Sequence, residues 1–320
     1  MSLPRCFAPV VSACMIVAGT DIVCGQDYPN KPIRVITSSA GGGNDFATRI
    51  IAQAVAGPLG QQVVVDNRSA DIPGELLLRA RADGYTLLVA GSSHWLLPYL
   101  RAKVPFDPLN DYAPITLAVS SPNLIVINAS VPAANVSELV ALAKNRPGVL
   151  NYASGSTGSS NHLAAELFKA MAGLDIVRIT YKGSSPALTD LLGGRVQMMF
   201  ANSASVMPHV KTEKLKALAV TSAQPSELVP GLPTVAASGV PGYEAVTMYG
   251  IFVPAGTPSG VINRLNQEMV RALRRPDIKE KFFSAGVETI GSTPGQLETA
   301  MKAEMVAMGK LIKDAGIRDE

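Results

Sequence analysis

The sequence predicts an α/β protein of two lobes, each a mainly parallel sheet flanked by helices, joined by a two-segment hinge. Three observations carry this expectation. Between residues 33 and 90, short β-branched runs alternate with helical patterns in the order strand, helix, strand, helix, strand, the spacing of a parallel sheet with right-handed crossovers. From residue 150 to 220 the same alternation begins again. Two extended segments, 113–128 and 247–252, run between the halves, as a hinge of two crossings would. The division expected is a leader over 1–25, one lobe from 26–122 with 245–320, and a second lobe over 123–244.

The first lobe opens on a strand from Ile33 to Ile36, a Ser/Gly loop, and a helix begun by Asn44 and Asp45, with apolar Phe46, Ile50, Ile51 and Ala54 at helical spacing. Gly41, Gly42 and Gly43 free the backbone to turn several N–H groups toward one anion beside the positive end of the helix dipole. Ser38, Ser39, Gly42, Gly43, Asn44 and Asp45 are therefore candidate ligand contacts. A tight turn explains the glycines equally well. The helix should stop at Gly57-Pro58. Val63 to Asp66 reads as the second strand, Pro73-Gly74-Glu75 as a helix start, and Tyr85 to Ala90 as the third strand with Ser92 at its carboxyl end. Ligands of such sheets sit at the carboxyl ends of strands.

The second lobe should begin with a helix from Ser137 to Asn145, capped near Val136 or Ser137, and a strand from Leu150 to Ala153. Next come Ser154-Gly-Ser-Thr-Gly-Ser-Ser160 and a helix from Asn161 to Met171. This repeats the first cradle and nominates Ser154, Ser156, Thr157 and Ser160. A strand over 176–181 delivers Lys182, and one over 196–200 delivers Asn202, to the same edge. Residues 216–220 read as the last strand here. Thr247–Phe252 returns to the first lobe, and long helices follow over 259–274 and from Pro294 to about Ala315.

Composition narrows the function. With 320 residues and 47% hydrophobic content, the chain can bury two ordinary cores. A net charge of +3 without like-charged blocks, and 5% aromatics, give no nucleic-acid footprint. Neither GxxxxGK[ST] nor GxGxxG occurs, so no nucleotide cofactor is expected. The cysteines Cys6, Cys14 and Cys24 all precede Gln26. With Arg5, an apolar stretch from Phe7 to Ala18, and Val23-Cys24-Gly25, this segment reads as a secretory signal peptide cleaved after Gly25. A lipid anchor on Cys24 and an uncleaved leader are the alternatives. The mature chain would hold no thiol to mispair in an oxidising space.

Several stretches resemble the Bug family of tripartite tricarboxylate transporter receptors. They include Tyr28-Pro-Asn-Lys-Pro-Ile-Arg34, Gly41-Gly-Gly-Asn-Asp45, Asp83-Gly-Tyr-Thr-Leu-Leu88, Pro105-Phe-Asp-Pro108, Leu163-Ala-Ala-Glu-Leu-Phe168, Tyr181-Lys-Gly183, Pro186-Ala-Leu-Thr-Asp-Leu-Leu-Gly-Gly194 and Phe252-Val-Pro-Ala-Gly-Thr-Pro258. The match runs in the family's order along the whole mature chain. The resemblance implies a monomeric periplasmic binding protein of the Venus-flytrap, type II-like kind. Such a protein traps a small carboxylic acid or amino acid and presents it to membrane permease subunits; a co-receptor for a sensor kinase is the alternative. It implies ligand contacts in the loops at 38–45 and 154–160, largely through backbone amides, hydroxyls and water. Where the family continues Pro-Gly-Ala-Gly-Gly after the Asn-Arg pair, this chain has Ser69-Ala-Asp-Ile-Pro-Gly-Glu75. Carboxylates of Asp71 and Glu75 near the site would oppose a polyanion, since like unit charges about 4 Å apart cost roughly 4 kcal/mol near a surface. A ligand with one carboxylate, with or without an amine, is expected.

Other residues receive plainer readings. His94, His162 and His209 lack metal-ligand spacing, so no metal site is expected, and His162 reads as a capping or surface residue. Trp95 packs against ligand or against its own lobe. Gly155-Ser-Thr-Gly-Ser159 is not GxSxG, which leaves a serine hydrolase using Ser156 or Ser159 as a remote alternative and no catalytic residue expected.

Overall fold

The computed structural model describes residues 28–41, 43–68 and 72–318. The leader with its three cysteines, Gly42 and Asp71 lie outside the described residues. The first alternation comprises β1 (Ile33–Thr37), α1 (Gly43–Leu59), β2 (Val63–Asn67), α2 (Ile72–Leu78) and β3 (Thr86–Gly91). Branched Ile and Val fill β1 and β2, where a pleated surface suits their stiff side chains. β1 lies between β2 and β3 and is parallel to both. The carboxyl ends of all three strands therefore share one edge, and the loop after β1 stands beside Gly91. α1 runs past the expected stop at Gly57-Pro58, because Leu59 is buried and the chain turns only at Gly60, with φ of 65°.

Two short helices follow that periodicity did not reveal, α3 (Ser92–Trp95) and α4 (Leu97–Leu100), and then β4 (Tyr112–Asn128). The second half contains α5 (Val136–Asn145), β5 (Asn151–Ser154), α6 (Ser160–Ala172), β6 (Val177–Thr180), α7 (Ser184–Leu192), β7 (Met198–Asn202), α8 (Ser203–Lys211) and β8 (Leu215–Val220). Asn135, rather than Val136 or Ser137, caps α5 by accepting the Glu138 N–H. The chain then returns through β9 (Val246–Pro254), α9 (Ser259–Leu273), α10 (Pro276–Ser284), β10 (Glu288–Thr289) and α11 (Pro294–Asp314). α11 opens on a capping box between Thr293 and Gln296.

The strands form one mixed sheet in the order β2-β1-β3-β9-β4-β7-β5-β6, with β8 and β10 also paired to β4. The parallel pairs lie away from the joint: β1 with β2 and β3, β5 with β6 and β7. The joint itself is antiparallel, because β4 and β9 cross between the halves directly, without intervening helices. β4 pairs with β9 as far as Pro122 and with β7 from Asn123. One buried strand thus serves both lobes.

Side chains reinforce this seam. A single apolar cluster takes in Trp95, Leu96 and Leu100 from the first half, Leu163 and Phe168 from α6, and Met301, Met305 and Met308 from α11. On the other face, Asn202 Nδ2 donates to Ser121 Oγ at 2.9 Å and to the Gly286 carbonyl at 3.1 Å. Gly286 has φ of 72°, and a Cβ there would fall 2.5 Å from Asn202 Oδ1 and 2.7 Å from Ser203 Oγ. Gly286→Ala is therefore expected to destabilise the protein by about 1–3 kcal/mol through backbone strain and overpacking. Urea titration checks this, and an unchanged midpoint would contradict it.

Candidate functional site

Where the strand ends of the two halves meet, a cavity of about 260 Å³ is walled by Ser38, Gly43 and Asn44 after β1 and by Gly91 to Ser93 after β3. Gly158 to Ser160 face them from the second half, Val246, Thr247 and Tyr249 from β9, and Glu304 and Met308 from α11. A neighbouring cavity of about 420 Å³ is lined by Asn123, Ser156, Lys182, Gly183 and Asn202, and shares Ser159 and Ser160 with the first.

The loop after β1 is fastened by Asp45. Its carboxylate accepts the Gly41 N–H at 2.9 Å and Asn67 Nδ2 at 2.8 Å, and pairs with Arg49 Nε at 2.9 Å. Asn67 Nδ2 also donates to the Ser38 carbonyl at 2.8 Å. Burial alone would raise the Asp45 carboxyl, but the Gly41, Asn67 and Arg49 bonds outweigh it and hold the group below its ordinary value. Close approach sets the next residues. A Cβ on Gly43 would stand 2.4 Å from Tyr249 Oη, and one on Gly91 3.0 Å from Asn44 Oδ1.

The loop before α6 is fastened from beneath by Arg178 of β6. Its guanidinium donates to Ser154 Oγ at 2.8 Å, to the Gly155 carbonyl at 2.9 Å and to Thr157 Oγ1 at 3.3 Å. His162 is buried, not on the surface, and its Nδ1 accepts the Gly158 N–H at 3.1 Å. Burial, assisted by Arg178, lowers its pKa to about 4, so the ring is neutral and able to accept. Leu100 of α4 packs on Gly158, where a Cβ would meet Leu100 Cδ1 at 2.7 Å.

The expected contacts now divide. Ser38, Gly43, Asn44, Ser92 and Ser160 line the first cavity; Ser156, Ser160, Lys182 and Asn202 line the second. Asp45, Ser154 and Thr157 hold the loops rather than face the cavities, and Ser39 is exposed outside their lining. Asn202, expected to offer donors to the cleft, has its amide donating across the seam and its Oδ1 accepting the Ala204 N–H at 2.9 Å. Its short side chain is fully engaged at the start of α8. Glu75, expected near the site, pairs with Arg79 at 3.4 Å and lines neither cavity. Gly42 lies outside the described residues.

What remains free is informative. Neither Ser159 before α6 nor Gly183 before α7 caps its helix with a side chain, so first-turn N–H groups stay available at both N-termini. Asn123 Nδ2 and Asn44 Oδ1 are buried without a hydrogen-bond partner. Such a group costs about 1–3 kcal/mol unless something meets it. Asn123 lines the cavity that holds Lys182 and Asn44 the one that holds Glu304, the two unpartnered atoms themselves lying within the walls.

Glu304, Thr247 and Tyr249 escaped the sequence reading. Glu304 alone left a signal, an acid falling among Met301, Met305 and Met308 on the buried stripe of α11. Its Oε2 accepts Trp95 Nε1 at 2.7 Å, and Ser92 bonds it as well while accepting the Met248 N–H at 3.0 Å. Trp95 is thereby tied into its own lobe, edge-on to Phe252. Burial pushes the Glu304 carboxyl up to about 7, the Trp95 and Ser92 bonds pull it down, and Glu244 adds to the rise. His94 stacks on Phe106 with centroids 4.5 Å apart, and burial lowers its pKa to about 4. The Ser159 hydroxyl has its one proton directed to the Ser156 carbonyl at 2.6 Å or to Asn161 Oδ1 at 2.7 Å, and not to a histidine. Among the described residues no group of His, Cys, Asp and Glu is placed to hold a metal, and no helix is long and apolar enough to cross a membrane.

Two α/β lobes closing on a polar cavity between strand ends define a solute-binding receptor of the periplasmic binding protein fold. The model of the tripartite tricarboxylate transporter family receptors matches residues 47–317, and the chain belongs to that family. The Bordetella pertussis protein BugT is 32% identical over 325 residues, covering 99% of each chain. Among solved structures, R. palustris Rpa4515 with adipate is 32% identical with a TM-score of 0.76, covering 91% of this chain and 99% of that one. MatC from Rhodopseudomonas palustris with bound malate is 25% identical with a TM-score of 0.72, covering 89% and 100%.

Two pH-dependent outcomes follow. The depressed Asp45 carboxyl contributes stability above its ordinary pKa and loses it as pH falls through the folded value. Asp45→Ala should thus cost about 1–3 kcal/mol near pH 7 and progressively less in acid, as read from urea melts across pH. Glu304 has the opposite sign: its raised folded pKa costs stability as pH climbs from about 4.5 to about 7. Glu304→Gln should gain in melting temperature relative to wild type at pH 8 compared with pH 4, and a difference flat with pH would contradict this.

Proposed function

We propose that this chain is a periplasmic receptor, exported by the leader over 1–25, that captures a small carboxylate between its lobes and delivers it to the permease subunits of a tripartite tricarboxylate-type transporter. The observation that carries this reading is the pair of adjoining cavities, walled from both halves by loops with uncapped helix N-termini and unpartnered polar atoms. The adipate and malate in the related structures support the ligand class. The lobes are 26–122 with 245–320, and 123–244. They close about the β4–β9 crossing, as a monomer, and no chemistry is performed.

The contacts assigned are Ser38, Gly43, Asn44, Ser156 and Ser160, with Lys182 as counter-charge. A few charge-assisted hydrogen bonds of about 1.5–3 kcal/mol each reach the roughly 8 kcal/mol of a micromolar site.

A thermal-shift screen of residues 26–320 against small carboxylates, amino acids and neutral sugars tests the reading. A ligand at about 100 times Kd should stabilise by roughly 2.7 kcal/mol. Lys182→Ala should weaken carboxylate binding about fivefold, because one exposed ion pair is worth up to about 1 kcal/mol. Binding of sugars alone, or of nothing by a folded sample, would overturn the proposal.

A further inference from the structure

The first cavity is walled by donors. The hydroxyls of Ser38, Ser160 and Thr247 have no partner among the described residues, and the N-terminus of α6 carries no side-chain cap. Tyr249, whose hydroxyl burial keeps neutral, adds a phenol. Such a wall suits an oxyanion. The same wall includes Glu304, and no lysine or arginine lines this cavity among the described residues. A space of about 260 Å³ keeps a bound carboxylate close to every side. Two neighbouring carboxylates without a counter-charge take up a proton between them.

The surroundings of Glu304 decide where that proton sits. Its Oε2 accepts the Trp95 indole N–H at 2.7 Å, and Ser92 bonds it as well. The neutral acid still serves both, because it retains acceptor lone pairs and gains one O–H. No charged group on the elements packed around it holds it ionised. Glu244, ahead of β9, is a like charge. On α6, Glu166 and Lys169 pair with each other at 2.8 Å, and His162 is a buried neutral ring. His94 on α3 is likewise neutral and stacks on Phe106. β4 contributes no charged residue, and Tyr99 of α4 packs on Gly309. Burial carries the carboxyl of the empty cleft up to about 7.

We propose that Glu304 contacts the ligand as the neutral acid, donating its O–H to an oxyanion in the first cavity, so that the cleft captures a carboxylate together with one proton from solvent. This rests on the receptor reading above and specifies the protonation state of its site. Glu304 is thereby a specificity-determining residue, favouring an oxygen acceptor at this end of the ligand. Below about pH 7 it is protonated before the ligand arrives, and affinity is insensitive to pH. Above that, binding must draw the proton from solvent, and affinity falls as pH rises.

The test is isothermal titration of the mature protein with succinate, glutarate, butyrate and benzoate, pursued with the tightest binder. Titration at pH 8 in phosphate and in Tris, whose ionisation enthalpies differ, counts the protons exchanged; wild type should take up between about half and one per ligand. Its affinity should be roughly tenfold or more weaker at pH 8.5 than at pH 6.5. Glu304→Gln, which keeps an acceptor for Trp95 and has no carboxyl to titrate, should take up no proton and bind equally at both pH values. The wild-type proton count stands even if the variant fails to fold. Equal heats in the two buffers, with affinity flat across pH, would overturn this inference and leave the receptor reading intact. So would proton uptake that persists in a folded Glu304→Gln. Binding of none of the four acids would overturn both.

Discussion

The backbone ladder of β4 is the constraint on which the rest of the molecule depends. One strand hydrogen-bonds to β9 through Pro122 and to β7 from Asn123, so the register of the first half fixes that of the second. A slip of one residue would exchange every buried side chain of β4 with its opposite face. Leu124 and Val126 pack in one core cluster and Ile125 and Ile127 in another, so such a slip would have to repack both. The loops that wall the cavities hang from strands on either side of this ladder. Their mutual distance is accordingly a property of β4 and not of the loops.

Both loops are shaped from behind. Asp45 and Asn67 fasten the first, Arg178 and His162 the second. Polar side chains that the residue types alone would assign to a ligand are thereby withdrawn from the cavities, while the first-turn N–H groups of α6 and α7 are left without a side-chain cap. A carboxyl reaches the first cavity from elsewhere in the chain. Glu304 reaches the cavity from a helix far along the chain, tied there by Trp95 and Ser92.

The alternation of β-branched runs with amphipathic helices was legible because local periodicity determines it, and both Ser/Gly cradles were placed correctly at strand ends. The short helices α3 and α4 were not, since a four-residue helix has no period to detect. Nor was the end of α1, where burial of Leu59 overrides the stop that Gly57-Pro58 suggests. Roles within the cradles were less legible still. Asn202 and Ser38 are the same kind of residue at the same kind of place, and only the tertiary neighbours Ser121 and Gly286 show that the Asn202 amide is already engaged. Of the two acids expected near the cleft from the altered loop, Glu75 pairs locally with Arg79 and Asp71 lies outside the described residues. The acid that lines the first cavity among the described residues is Glu304 of α11, visible in sequence only as one carboxyl on an apolar stripe.

That placement bears on biogenesis. α11 supplies Glu304 and Met308 to the cavity and Leu297, Met301 and Met305 to the core shared by the halves. It is also the last of the described elements to be synthesised. Until it docks, the cavity lacks its floor and the seam lacks one wall of its packing. A chain that lacks α11 therefore lacks this wall of the cavity, and the cleft is complete only once the final helix has packed against the rest.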